Sequence, residues 1–414
     1  MIASDGVFTR GLKTMARFTR EEIETAFLRY QDMGLAAARS GDWTHWGKMF
    51  TEDCSYKEHC LGEWGGREAI VREMASVMQV TETTETVDHL EGSAANFSDG
   101  AANPWIWCNQ YPCNDYVIDV DRGWVWSLIW NRMEDPGNGR VFQCNCLTLL
   151  IYAGNGQFSY EEDLYNPRQF GKMMDEWLEV KAECDARQLD YEARAEAARA
   201  VAIEPELPVP DASLMRPSHK AIETIPTPQG RFREDEIEAA LRAYQEGLAR
   251  AGRANDWRHW GACLTPDTTL IDCELGHLGK RDAVVREVGA RLHQADDKRP
   301  WAYLNHFPFG EYVIDTQRDT VWAFVWARFR DPGDGSRHEA KLFLRMVYGG
   351  DGLFKEIETL YDPNALRRAM SSWKKSRAQY EEHRADRELT LAENERRALE
   401  IAPLKLDEDG KEVR

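Results

Sequence analysis

Phe18-Thr-Arg-Glu-Glu-Ile-Glu24 returns, little changed, as Phe232-Arg-Glu-Asp-Glu-Ile-Glu238, 214 positions further on. The same displacement carries Tyr30-Gln31 onto Tyr244-Gln245 and Asp42-Trp43-x-His45-Trp46-Gly47 onto Asp256-Trp257-x-His259-Trp260-Gly261. It also carries Gly65-x-Arg67-Glu68-Ala69 onto Gly279-x-Arg281-Asp282-Ala283. From Pro104-Trp105 onward, matched by Pro300-Trp301, the displacement drops to 196, which leaves an 18-residue surplus in the first copy. Tyr116-Val-Ile-Asp119 then meets Tyr312-Val-Ile-Asp315, and Leu164-Tyr165-x-Pro167 meets Leu360-Tyr361-x-Pro363. A unit this long, present twice, is a duplicated domain and not a solenoid repeat. The surplus falls within 80–103, whose Ser, Thr, Gly and Ala read as a loop.

The duplication sets the expected organisation. Residues 1–17 are an N-terminal extension, 18–167 the first domain, and 168–201 a long helix. A linker follows at 202–230, carrying Pro205, Pro208, Pro210, Pro217, Pro226 and Pro228. The second domain occupies 231–363, and 364–414 form a second long helix and tail. In each copy an amphipathic helix (20–39, 234–253) leads to a short Trp-rich helix (42–49, 256–263). In the first copy a strand at 53–60 and a helix at 66–79 come next. Alternating strands follow at 114–120, 124–133, 141–152 and 157–165, joined by Asp135-Pro-Gly-Asn-Gly139 and Gly154-Asn-Gly156 turns. Helices first and a curved antiparallel sheet after is an α+β domain.

Composition narrows the function. The net charge of −19 over 414 residues, without a basic patch, argues against nucleic acid. The longest apolar run, Cys146 to Ala153, is too short to cross a membrane, and the N-terminus lacks a signal-like apolar segment. Nine cysteines without a paired framework read as reduced thiols, so a cytoplasmic protein is expected. Cys54, Cys60, Cys108, Cys113, Cys144 and Cys146 share the first copy with His59, but small buried thiols explain them better than zinc. No metal and no cofactor is expected. Trp43, Trp46, Trp257 and Trp260, present in both copies, read as packing residues.

Phe50-Thr-Glu-Asp53, Tyr56-Lys-Glu-His59, Gly62 and Gly66-Arg-Glu-Ala-Ile70 resemble the SnoaL-like branch of the nuclear-transport-factor-2-like (NTF2-like) superfamily, as do Trp130-Asn-Arg132 and Tyr160 through Pro167. The resemblance covers both copies and implies two tandem cone-shaped α+β barrels, each around a mostly apolar pocket. It further implies cofactor-free acid–base chemistry, of isomerase, dehydratase, cyclase or lyase type, on a small hydrophobic, aromatic molecule. The general-base position of the ketosteroid isomerases in this family falls on His59, and on Cys273 in the second copy. Their oxyanion-hole acid falls near Thr148 and Leu344, so that donor is absent. Taking Tyr165 as pocket-facing, strand alternation puts Asp163 and Glu161 on its face and Glu162 on the other. The expected catalytic set is therefore His59, Asp163 and Glu161. The expected substrate-binding set is Tyr30, Trp105, Trp107, Trp130, Asn131, Cys146, Thr148 and Tyr165.

The copies differ at these positions. His59, Glu161, Asp163 and Asn131 become Cys273, Ile357, Thr359 and Ala327, so the first pocket is expected to work and the second to support it. The second copy keeps its own polar set of Asp272, His306, Arg345 and Glu356. A different class of function also fits the duplication: a non-catalytic ligand-binding or assembly module built as an intramolecular pseudo-dimer, open to further self-association. An epoxide-hydrolase-type reaction would need an arginine beside two carboxylates, for which Arg132 is available.

Overall fold

A computed structural model describes residues 17–78, 104–186, 230–292, 295–296, 299–300, 303–382, 405–406 and 412–413. The chain divides into two compact units, one within Lys13–Pro226 and one after Thr227. The inserted loop, the linker and the distal parts of both long helices, 187–201 and 383–400, lie outside the described residues, as does most of the N-terminal extension.

In the first unit α1 (Arg20–Ser40) starts where Thr19 accepts the Glu22 amide at 3.1 Å and stops at Gly41, whose φ of 75° only glycine adopts cheaply. Its buried stripe is Ile23, Phe27, Tyr30, Gly34 and Ala37, at helical spacing. The turn α2 (Thr44–Gly47) and α3 (Arg67–Met78) complete the inner helices. Seven strands form one curled sheet: β1 (Phe50–Glu58), β2 (Gly62–Gly65), β3 (Cys108–Gln110), β4 (Cys113–Asp119), β5 (Trp124–Met133), β6 (Gln143–Gly154) and β7 (Gln157–Tyr165). The path is β2-β1-β7-β6-β5-β3, with β4 also on β5.

The sheet is antiparallel except at one place, contrary to the wholly antiparallel expectation. β1 and β7 run parallel, with Tyr56 opposite Glu161 and Glu58 opposite Asp163. β1 lies between its sequence neighbour β2, at the sheet edge, and the distant β7. In a parallel pair, opposed residues share a face, and this register decides what enters the cavity.

The helix after β7 is α4 (Pro167–Ala186), which packs on the sheet. Its Trp177 is fully buried, and the indole N–H donates to the Glu134 carbonyl at 2.7 Å. Phe170, Met173, Met174 and Trp177 pack with Cys144, Cys146 and Tyr165 over one end of the sheet. The second unit repeats this: Trp373 of helix Pro363–Glu382 donates to the Arg330 carbonyl at 2.6 Å. Its own seven-stranded sheet has the same order, again with one parallel pair, Leu264–Asp272 against Leu353–Tyr361. Each unit thus has helices held in a curled sheet, the α+β cone expected from the resemblance.

Candidate active site

The concave face of the first sheet, α1–α3 and the start of α4 enclose a cavity of about 120 Å³. Its walls are largely aromatic and aliphatic: Trp43, Trp46, Trp105, Tyr111, Met74 and Phe170 among them. Trp105 stacks on Phe170 with ring centroids 5.5 Å apart, closing one side. Into this apolar space project three carboxyl groups, from Glu58, Glu161 and Asp163.

Strand parity places them. Glu161, Asp163 and Tyr165 alternate along β7, Tyr56 and Glu58 stand opposite on β1, and Thr148 and Cys146 stand opposite on β6. The Tyr30 hydroxyl donates to Glu161 Oε1 at 2.5 Å, while Glu161 Oε2 is buried without a partner among the described residues. Asp163 accepts from the Tyr56 hydroxyl at 2.8 Å and from the Thr148 hydroxyl at 2.6 Å. Glu58 accepts the amide of Cys60 at 2.9 Å and that of Leu61, closing the turn between β1 and β2.

Burial and mutual repulsion set the protonation states. Desolvation, then the Asp163 charge, raises the Glu161 carboxyl well above its ordinary value, against the Tyr30 hydrogen bond. Burial lifts Asp163 to about 6, held there by the Thr148 and Tyr56 donors that favour its charged form. Burial and Asp163 push Glu58 up to about 8. At neutral pH the site therefore holds an ionised Asp163 beside protonated Glu161 and Glu58. Burial, then the neighbouring acids, also pushes the Cys146 thiol up, so it stays a neutral packing group.

Most expected residues meet in this cavity: Tyr30, Trp105, Asn131, Cys146, Thr148, Glu161, Asp163 and Tyr165 all line it. Three do not. His59 sits just past the end of β1, one position after Glu58, so parity turns it to the other face of the sheet. There its Nε2 meets Glu162 Oε1 at 2.7 Å, and the Tyr160 hydroxyl completes the group at 3.0 Å. Trp130 lies between Ile129 and Asn131 on β5, both of which line the cavity, so it too faces away. Trp107 pairs with Trp177 at 5.8 Å, behind the cavity wall. Arg132, offered for an epoxide-type site, donates to Gln143 Oε1 at 2.7 Å on the face away from Asn131.

Five residues were missed. Tyr56 and Glu58 were legible from the same alternation that identified Asp163, had it been applied to the first strand. Trp43 and Trp46 line the cavity as well as packing beneath it. Gln31 is 2% exposed, and neither amide atom has a partner among the described residues.

In the second unit the equivalent positions carry larger apolar side chains. Leu248 stands where the first has Gly34, Leu342 replaces Cys146, and Ile357 replaces Glu161. Leu248, Leu270, Leu344, Met346 and Ile357 lie in one apolar cluster. Of the polar set, only Asp272 corresponds to a first-site carboxylate, that of Glu58. It is held by Thr359 at 2.6 Å and Tyr361 at 3.3 Å. Arg345 and Glu356 pair at 3.1 Å on strand positions of the opposite parity to Ile357 and Thr359.

No family model matches the chain, and no curated protein matches it. Among solved structures, a putative SnoaL-like polyketide cyclase from Jannaschia sp. CCS1 is 17% identical, with TM-score 0.26, covering 34% of this chain and 99% of that one. An epoxide hydrolase/cyclase-like enzyme, SalBIII, of pyran ring formation in polyether salinomycin is 12% identical, with TM-score 0.25, over 32% and 95%. An NTF2-like protein from Anabaena variabilis ATCC 29413 is 10% identical, with TM-score 0.25, over 31% and 92%. Among the described residues, no helix is long and apolar enough to cross a membrane.

Proposed function

We propose that the first unit is a cofactor-independent acid–base enzyme, of isomerase, cyclase, dehydratase or lyase type, acting on a small molecule with a flat apolar body. The observation that carries this reading is the unlike pair on β7. Asp163, held by two hydroxyl donors, is ionised near neutrality, whereas Glu161 keeps its proton and presents an unpartnered oxygen to the cavity. Two carboxyl groups whose environments drive their protonation states apart divide naturally into base and acid.

Asp163 takes a proton from bound substrate, and Glu161 Oε2 delivers one to the oxygen or carbon that gains electron density. Tyr30 steadies the Glu161 carboxylate left behind, since its hydrogen bond strengthens as charge appears on Oε1. Tyr56 and Thr148 hold Asp163 in one orientation. The aromatic walls exclude water and fix the plane of the substrate. His59, which faces Glu162, takes no part. The second unit, with larger apolar side chains at the equivalent positions, is read as a structural partner.

The test is to release small molecules that co-purify with the protein, identify them by mass spectrometry and assay turnover of each. The reading expects Asp163→Asn to abolish turnover with the fold intact. Undiminished turnover in that variant would overturn it.

A further inference from the structure

Glu58, Glu161 and Asp163 converge on one cavity whose lining, among the described residues, contains no lysine, arginine or histidine. The titratable groups facing them there are Tyr30, Tyr56, Tyr111, Tyr165 and Cys146, all neutral in their ordinary forms. Buried carboxylates are normally paired with cations or metals, because an isolated buried charge is costly. Among the described lining residues no cation pairs with them, and the Asp163 charge works against ionisation of Glu161 and Glu58. The fold does not require Glu161 and Asp163: the second unit builds the same sheet with Ile357 and Thr359 in their places.

Two further features point at a ligand. Glu161 Oε2 has no partner among the described residues, in a residue only 1% exposed. Gln31, 2% exposed, offers an amide oxygen and an amide nitrogen, both without a partner among the described residues. Unsatisfied buried polar atoms are costly to keep unless something bound satisfies them. Among the described residues, no group of three or more His, Cys, Asp or Glu side chains is arranged to hold a metal ion. The walls contributed by Trp43, Trp46, Trp105 and Tyr111 present aromatic surface instead. Aromatic surface and carboxylates together favour an organic ammonium ion.

We propose that this cavity takes a small organic cation, an amine with a flat apolar body, its ammonium placed among Glu58, Glu161 and Asp163 and bonded to the Gln31 carbonyl. This rests on the reading of the cavity as a ligand site, and not on any turnover there. A cation arriving among these acids draws them toward their charged forms, so binding releases protons from Glu161 and Glu58. An uncharged ligand of the same shape releases none.

Isothermal titration calorimetry of the full chain at pH 7, in two buffers of different ionisation enthalpy, separates these cases. The probes are benzylamine, benzyltrimethylammonium, benzyl alcohol and benzoate. The proposal expects at least one of the two cations to bind about tenfold or more tighter than benzyl alcohol. It also expects binding to release between about half and one proton. Glu161→Gln, with thermal unfolding unchanged or raised, reduces the preference for the cation to about threefold or less. Gly34→Leu, which copies the second unit's Leu248, removes cation binding while keeping the fold. Equal or tighter binding of benzyl alcohol, binding of the cation without proton release, or no binding of either cation at millimolar concentration overturns the proposal. Cation binding with no reaction found on any amine would count against the enzyme reading alone.

Discussion

The His59 amide donates to the Asp163 carbonyl at 3.2 Å, yet the two side chains leave the sheet on opposite faces. Asp163 enters the cavity beneath Tyr56, and His59 turns out to Glu162. The base position suggested by resemblance is therefore one residue from the carboxyl group that the cavity contains, Glu58. One residue along a strand is a change of face.

His59→Ala is accordingly expected to leave ligand binding and turnover unchanged within about twofold. It should cost stability instead, about 1–3 kcal/mol, because Glu162 is 3% exposed and loses its ring partner. Urea unfolding and a parallel activity assay read the two effects separately. A large activity loss at unchanged stability would refute this division.

Turnover of an identified substrate should follow a bell-shaped pH profile. The rising limb lies near the value of about 6 to which burial lifts Asp163, which must be ionised to act as base. The falling limb reports loss of the proton from the raised Glu161 and Glu58 carboxyls, with Glu58 at about 8. Because the acids interact, both limbs belong to the cluster and not to single residues. Asp163→Asn should lower kcat by about 10²–10⁴-fold and erase the rising limb. A profile flat from pH 5 to 9 (about one unit beyond each limb) would contradict the assignment.

Glu58→Gln tests the electrostatic strain directly. The folded chain holds a Glu58 proton up to about pH 8, whereas the unfolded chain releases it from the ordinary value of 4.5. The folded state therefore binds the extra proton, and the wild type loses stability as pH rises through that window. The amide variant has no such loss and keeps an oxygen for the Cys60 and Leu61 amides. At low pH the two should melt together. Near pH 9 the variant should be more stable by about 2 kcal/mol, or roughly 4–8 °C in a unit of this size. Equal melting temperatures at both ends would show that Glu58 is not strained.

Gly34→Leu should close the first cavity. A Cβ built at Gly34 meets Trp46 Cδ1 at 3.5 Å, an ordinary contact, so the side chain has room to enter the cavity that Gly34 lines. Glycine in a helix interior also costs roughly 1 kcal/mol relative to alanine, so folding should not suffer. Circular dichroism is expected to be unchanged and ligand binding lost. Retained binding would place the ligand elsewhere.

The duplicated architecture was readable because helix and strand periods survive in both copies, and the inner face of β7 was readable from Tyr165 backwards. Thr148 followed from the resemblance, and Asn131 from its replacement by Ala327 in the second copy. Glu58 and Tyr56 were missed because a motif position was carried onto His59 without testing it against the period of its own strand. Gln31 was missed for a different reason. Its sequence match is Gln245, and nothing in the repeat tells that Gln31 is buried beside the cavity while Gln245 is partly exposed.

Local chemistry thus determined the repeat, the order of helices and strands, and which residues of each strand share a face. Those properties depend on neighbours three or four positions apart in a helix and two apart in a strand, which any single segment contains. The tertiary structure alone decided that β1 lies parallel to β7, and that this register sets Glu58 beside Asp163 and Tyr56 beside Glu161. It also decided that α4 packs over one end of the sheet and that Gly34 lines the first cavity at the position where the second unit has Leu248. Pairing between strands about a hundred residues apart depends on how a whole sheet curls around its helices, and no local period encodes it.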